Sequence, residues 1–185
     1  MVVRLIALIG TLVLAVPAAT GQDYTVKKAF GQWTVYRFSN DCWMRTDLAN
    51  GTNLAFSTAQ KGTDLYIQLQ NRTWQSISDD GRYDLRVQFG SLDRVKTAYG
   101  STPRSTLPPS VALFLDGSGD AYIGSLRTSA RIRITMDDKE LAETSLTSDD
   151  TEQALDYLRR CTVSMKSEVD DPFADQTPRD DPFKK

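Results

Sequence analysis

Apolar and polar residues alternate with period two along most of the middle of the chain, and this alternation predicts short, half-buried strands rather than helices. Tyr83, Leu85, Val87 and Phe89 fall on one side, Asp84, Arg86 and Gln88 on the other. The same parity turns Leu65, Ile67 and Leu69 inward, with Tyr66 and Gln68 outward, and sets Ile132, Ile134 and Met136 against Arg131, Arg133 and Thr135. Asp137 and Asp138 then make a turn into Leu141 and Ala142, so a hairpin is expected there. A second hairpin is expected around Asp79, Asp80 and Gly81. Trp33 and Val35 begin an earlier strand that runs toward Cys42, and residues Leu54 to Thr58 form another. Strands at this spacing imply an antiparallel β-sandwich or a partial barrel.

The pattern changes once, after Thr147 and Ser148. Either hydroxyl can accept the free amides of a helix start, Asp149, Asp150 and Glu152 suit its positive end, and Ala154, Leu155 and Leu158 form an apolar stripe. Arg159 and Arg160 lie near the negative end, with Cys161 following on the inward side. A shorter helical turn is expected from Ile123 to Ser129. The expected fold is therefore mainly β with one C-terminal helix and one disulfide. Tyr99 to Ser110, with Pro103, Pro108 and Pro109, reads as a loop, either a lid or a simple connection.

The ends of the chain change the picture. Arg4 followed by the apolar run Leu5 to Val16 has the form of a secretory signal and is too short to span a bilayer. Residues 1–21 are read as that signal and 22–165 as a single β-rich domain, soluble in the periplasm or secreted, with no transmembrane helix. Residues 166–185 are read as a disordered acidic tail containing the repeat Asp170-Asp171-Pro172-Phe173 and Asp180-Asp181-Pro182-Phe183. Phe173 and Phe183 are candidate contacts to a partner, two copies on one strand acting as a bivalent ligand. With two cysteines, one pairing is open, and a Cys42–Cys161 bond in an oxidising compartment closes a long loop worth about 4 to 5 kcal/mol.

Candidate chemistry is sparse. The chain has no histidine, which removes imidazole-based triads and imidazole metal ligands. Neither common Gly-rich phosphate loop occurs, nor a nucleophile elbow. No catalytic residue, cofactor or metal site is assigned. Asp116, Ser118 and Asp120 have alternate oxygen-ligand spacing, but Ala121 and Arg127 stand where a calcium loop needs Gly and Glu, so a glycine-rich turn is preferred. Without Arg4 the chain carries 21 basic and 24 acidic residues, a balance that argues against nucleic acid. Arg86, Arg131 and Arg133, with Arg82 and Arg127, form a candidate arginine face for carboxylates or phosphates. Tyr36, Phe38, Trp43, Tyr66 and Trp74 are exposed aromatic candidates, although Trp33 and Trp43 are expected to pack around the disulfide.

The order Trp33-Thr34-Val35, Cys42, Tyr83 to Phe89, Ser145-Leu146 and Ala154-Leu155-Asp156-Tyr157-Leu158 with Cys161 resembles small secreted proteins of Gram-negative bacteria, and more loosely the invasion-associated locus B family. That resemblance implies a periplasmic β-rich domain without established catalysis, and it transfers no functional residue. In a bacterium the Asn50-Gly51-Thr52 and Asn71-Arg72-Thr73 sequences are not glycosylation acceptors. The leading expectation is a non-enzymatic exported domain binding another envelope or host protein. The alternative is a periplasmic small-ligand carrier with an apolar cavity, and a hydrolase using Asp64, Asp84 or Asp116 ranks third.

Overall fold

A computed structural model of the chain describes residues 24–38, 41–58, 64–103 and 107–169. The signal read over residues 1–21 lies outside the described residues, as do Phe173 and Phe183. The alternating segments fold as β1 (Tyr24–Phe30), β2 (Trp33–Phe38), β3 (Asp41–Asp47), β4 (Asn53–Thr58), β5 (Asp64–Gln70), β6 (Arg82–Phe89), β7 (Leu92–Ser101) and β8 (Ser110–Asp116). Helix α1 (Gly119–Arg127) precedes β9 (Arg131–Met136) and β10 (Lys139–Ser145), and α2 (Asp149–Val169) follows. All ten strands join one antiparallel sheet in the order β1-β2-β3-β4-β5-β8-β7-β6-β9-β10, curled into a half-barrel. Of the two expected architectures, the chain adopts the partial barrel.

The inward residues are those the alternation singled out. Trp33, Val35, Met44, Leu54, Phe56, Leu65, Ile67, Leu69, Leu85, Val87, Ile132 and Ile134 are all buried, and Tyr83 and Met136 are half-buried at the margins. Each large apolar side chain so buried contributes about 1.5 to 3 kcal/mol over its exposed state. The concave face is closed by α2, which lies across β1, β2 and β3, and by α1, which packs on α2 and β5. Ile123 and Leu126 of α1 and Ala154, Leu155 and Leu158 of α2 complete the core.

Three cross-links fasten α2 to the sheet. At its N-terminal end the buried Trp33 Nε1 donates to Thr151 Oγ1 at 2.9 Å, while Ser148 Oγ accepts from Thr151 N as the helix cap. About three turns along, Thr162 Oγ1 donates to Leu158 O, which leaves Thr58 to donate into the 2.7 Å contact between the two threonine hydroxyls. Beside it Cys42 and Cys161 form the expected disulfide, Cα atoms 6.0 Å apart. Cys161 sits inside the helix rather than after it. The helix continues to Val169, so its last residues fall in the segment read as tail.

Turn chemistry explains the hairpins. Asp137 and Asp138 both adopt positive φ, 48° and 62°, the two left-handed positions of a type I′ turn between β9 and β10. Gly31, at φ 53°, turns β1 into β2 where a side chain would strike Asp150 of α2. The hairpin expected at Asp79 to Gly81 does not form. Both edges of β5 are used by β4 and β8, so β6 pairs instead with β7 and β9. The Asp79 to Gly81 segment lies beside β7, with Asp80 N donating to Gly100 O and Gly100 N to Gly81 O. The proline-rich loop is shorter than expected, because Tyr99 to Ser101 pair with Ser110 to Ala112 and only residues 102–109 connect the strands. Residues 104–106 of that loop lie outside the described residues.

Candidate functional site

The outward parity of the strands builds one continuous row of side chains across the convex face. Tyr36 is in register with Trp43, Trp43 with Ser57, Ser57 with Tyr66, and Tyr66 with Phe114, so a single line crosses β2, β3, β4, β5 and β8. Side chains opposite one another across a sheet lie on the same face, and the row is therefore aromatic except at Ser57. Ser57 is small and buried, and over it the Trp43 and Tyr66 rings meet edge to face with centroids 5.3 Å apart. Tyr66 and Phe114 meet likewise at 4.8 Å. The neighbours pack over Tyr66 enough that burial raises its phenol above the ordinary value.

The far end of the row is open. Phe114 is 47% exposed, and on β7 Tyr99 and Val95 are 48% and 63% exposed. Along one side of the row stand Ala55, Gln68 and Ala112 in register, beginning at Arg45. Along the other stand Asp41, whose carboxyl is raised by burial, and the register partners Asp64 and Asp116. The surface is thus an aromatic strip with an acidic margin.

Several expected site residues fall elsewhere. Arg86, Arg131 and Arg133 do share the outer face, as alternation required, but each is engaged by a carboxylate. Arg86 Nε and Nη2 donate to the two oxygens of Asp93 at 2.7 Å, which raises the guanidinium pKa and holds the Asp93 carboxyl below its ordinary value. Arg131 lies 3.3 Å from Glu143, and Arg133 Nε lies 3.2 Å from Glu143 and 3.5 Å from Glu140. The part of the sheet formed by β7, β6, β9 and β10 therefore carries opposite charges on neighbouring strands. Arg127 leaves the proposed arginine face altogether. It sits on α1 and pairs with Glu152 and Asp156 of α2, behind the sheet.

Trp43, expected to pack around the disulfide, points outward instead. Its parity is that of Arg45 and Asp47, opposite to the buried Cys42 and Met44. Trp33 does pack inside, against Phe56. Trp74 is half-buried against the core edge, away from the row. Phe114 was missed, yet the signal was present, because Val111, Leu113 and Leu115 alternate inward and leave Phe114 outward.

Of the three carboxylates considered for hydrolysis, two share a register position and the third lies apart. Asp64 and Asp116 are opposed, but Lys96 Nζ donates to Asp116 Oδ2 at 2.8 Å and holds that carboxyl below its ordinary value, while Asp64 accepts from Gly117 N. Asp84, two strands beyond β8, accepts from Thr97 Oγ1. Ser118 caps α1 by accepting from Ala121 N, and among the described residues no group of three carboxylates or cysteines is placed to hold a metal ion. Asn71 is buried, donating to Asn50 O and Thr52 Oγ1 and accepting from Thr73, so it serves the fold of this loop pair. No helix among the described residues is long and apolar enough to cross a membrane. Comparison with protein-family models, with curated proteins and with solved structures finds no match to this chain.

Proposed function

We propose that this chain is an exported, non-enzymatic domain that binds another envelope or host protein through the aromatic strip on the convex face of its sheet. The observation that carries this reading is the registered row Tyr36, Trp43, Tyr66 and Phe114, which ends in open apolar surface at Phe114, Val95 and Tyr99. Aromatic side chains are enriched at interface centres because they bury much area for little rotamer entropy. Among the described residues the concave face is occupied by α1, α2 and the inward side chains. The adjoining charges favour a partner whose apolar patch carries basic groups facing Asp41 and Asp64. The Cys42–Cys161 bond fits an oxidising compartment, in keeping with the signal read from residues 1–21.

In-cell photocrosslinking from position 114 tests this reading, in the full chain and in one ending at Val169. Capture of one partner by both chains, lost with Trp43→Ala, supports the strip. Capture that requires residues 170–185 and ignores Trp43 would place the contact on the acidic repeat with Phe173 and Phe183. Absence of any captured partner would refute the reading.

A further inference from the structure

The ladder between β7 and β8 is only partly formed. Tyr99, Gly100 and Ser101 pair with Ala112, Val111 and Ser110, but the seven residues Leu92 to Ala98 of β7 have no β8 partner among the described residues. Leu113 to Asp116 of β8 likewise pair only with β5. Backbone pairing to β8 therefore lapses along about 23 Å of β7, at about 3.3 Å per residue. At the end of β8, Tyr122 Oη of helix α1 donates to Asp116 O at 3.0 Å.

The side chains along this free edge are unusual for their parity. Register with Val87 and Leu85, both buried, gives Arg94 and Lys96 inward positions on β7, where apolar residues are expected. Arg94 is exposed and has no ion pair among the described residues, and Lys96 reaches across to Asp116. Inward-facing cations on an open edge deter pairing with apolar strands, because the incoming chain would bury unpaired charge. The same cations select an acidic strand, since specificity comes from what is repelled as well as what is attracted. On the outward parity Val95 and Phe114 remain exposed.

We propose that the free edge of β7 accepts an extended segment of a partner protein by strand addition, with acidic side chains opposite Arg94 and Lys96 and an apolar side chain between them over Val95. Backbone pairing supplies affinity and the alternate side chains supply selectivity. The exposed Lys96–Asp116 pair is worth little and opens readily, the incoming carboxylate replacing Asp116. This inference rests on the protein-binding reading and adds the chemistry of the ligand.

The test is fluorescence anisotropy of an eight-residue peptide alternating glutamate with valine or phenylalanine, added to the full, oxidised chain. Binding is expected, weakened at least about tenfold by Arg94→Glu and by exchange of every glutamate for lysine, with the lysine peptide preferring the Arg94→Glu chain. Isotope-edited infrared spectra should show the bound peptide as antiparallel strand. Equal binding to the wild type and Arg94→Glu, or no binding, overturns the proposal. Binding that appears only after residues 170–185 are removed assigns the slot to the chain's own acidic end, and a dimer dissolved by the peptide assigns it to a second copy. Either result overturns a partner segment. A peptide that fails while photocrosslinking still captures a partner removes the slot alone, whereas failure of both removes the broader reading.

Discussion

Substitution of Thr151 by valine keeps the shape of a side chain that is fully buried but removes the hydroxyl that accepts from Trp33 Nε1. The indole N–H is then left without a partner in a site where Trp33 is itself 0% exposed, so water cannot replace the lost acceptor. A buried donor orphaned in this way costs about 1 to 3 kcal/mol. Ser148 Oγ also loses its 2.8 Å contact with Thr151 Oγ1, but it still accepts from Thr151 N and belongs to an exposed residue, adding a few tenths at most. The expected cost is about 2 kcal/mol, which for a urea slope of about 2 kcal/mol/M lowers the midpoint by about 1 M. Urea titration followed by tryptophan fluorescence and far-ultraviolet circular dichroism reads this with the disulfide intact. The decisive comparison is a cycle with Trp33→Phe, in which the indole donor is already absent. There Thr151→Val should cost almost nothing, and an equal cost in both backgrounds, within about 0.5 kcal/mol, would refute the account of α2 docking.

The remaining predictions concern the disulfide and the surface carboxylates. Replacing Cys42 and Cys161 by serine removes a cross-link spanning 119 residues, and the chain-entropy relation puts the loss at about 5 kcal/mol, measured as a fall in denaturation midpoint under otherwise equal conditions. Asp93 and Asp116 have folded pKa values lowered by hydrogen bonds from Arg86 and Lys96. Their contribution is present above the ordinary Asp value of about 3.9 and is lost as pH falls through the lower folded values. Carboxyl NMR titration should show both below that ordinary value, and Asp93→Asn should flatten the acid limb of the stability curve. Asp41 has the opposite sign, because burial raises its folded pKa, and its contribution declines as pH rises through that value. Asp41→Asn should accordingly leave neutral-pH stability equal to or above that of the native chain.

Features that depend only on neighbours along the chain are legible in its residues. Period two set the faces of Leu65 to Leu69, Tyr83 to Phe89 and Ile132 to Met136, and the Asp137-Asp138 turn followed from residues that tolerate positive φ. The start of α2 was legible in Ser148 and the acids behind it, and two cysteines left only one pairing. The tertiary structure decided which strands meet, because pairing partners are chosen by whole faces and free edges rather than by local pattern. Asp79 to Gly81 has turn residues but makes no hairpin, since both edges of β5 were already taken. Outward residues are individually uninformative, so Tyr36, Trp43, Tyr66 and Phe114, drawn from four strands, became a strip only when register aligned them over Ser57. Arg86, Arg131 and Arg133 share one face by parity, yet their engagement by Asp93, Glu140 and Glu143 depends on neighbouring strands and turns. The lapse in pairing beside β7 was likewise invisible in the chain, because an unmade backbone ladder leaves no mark on the residues that fail to form it.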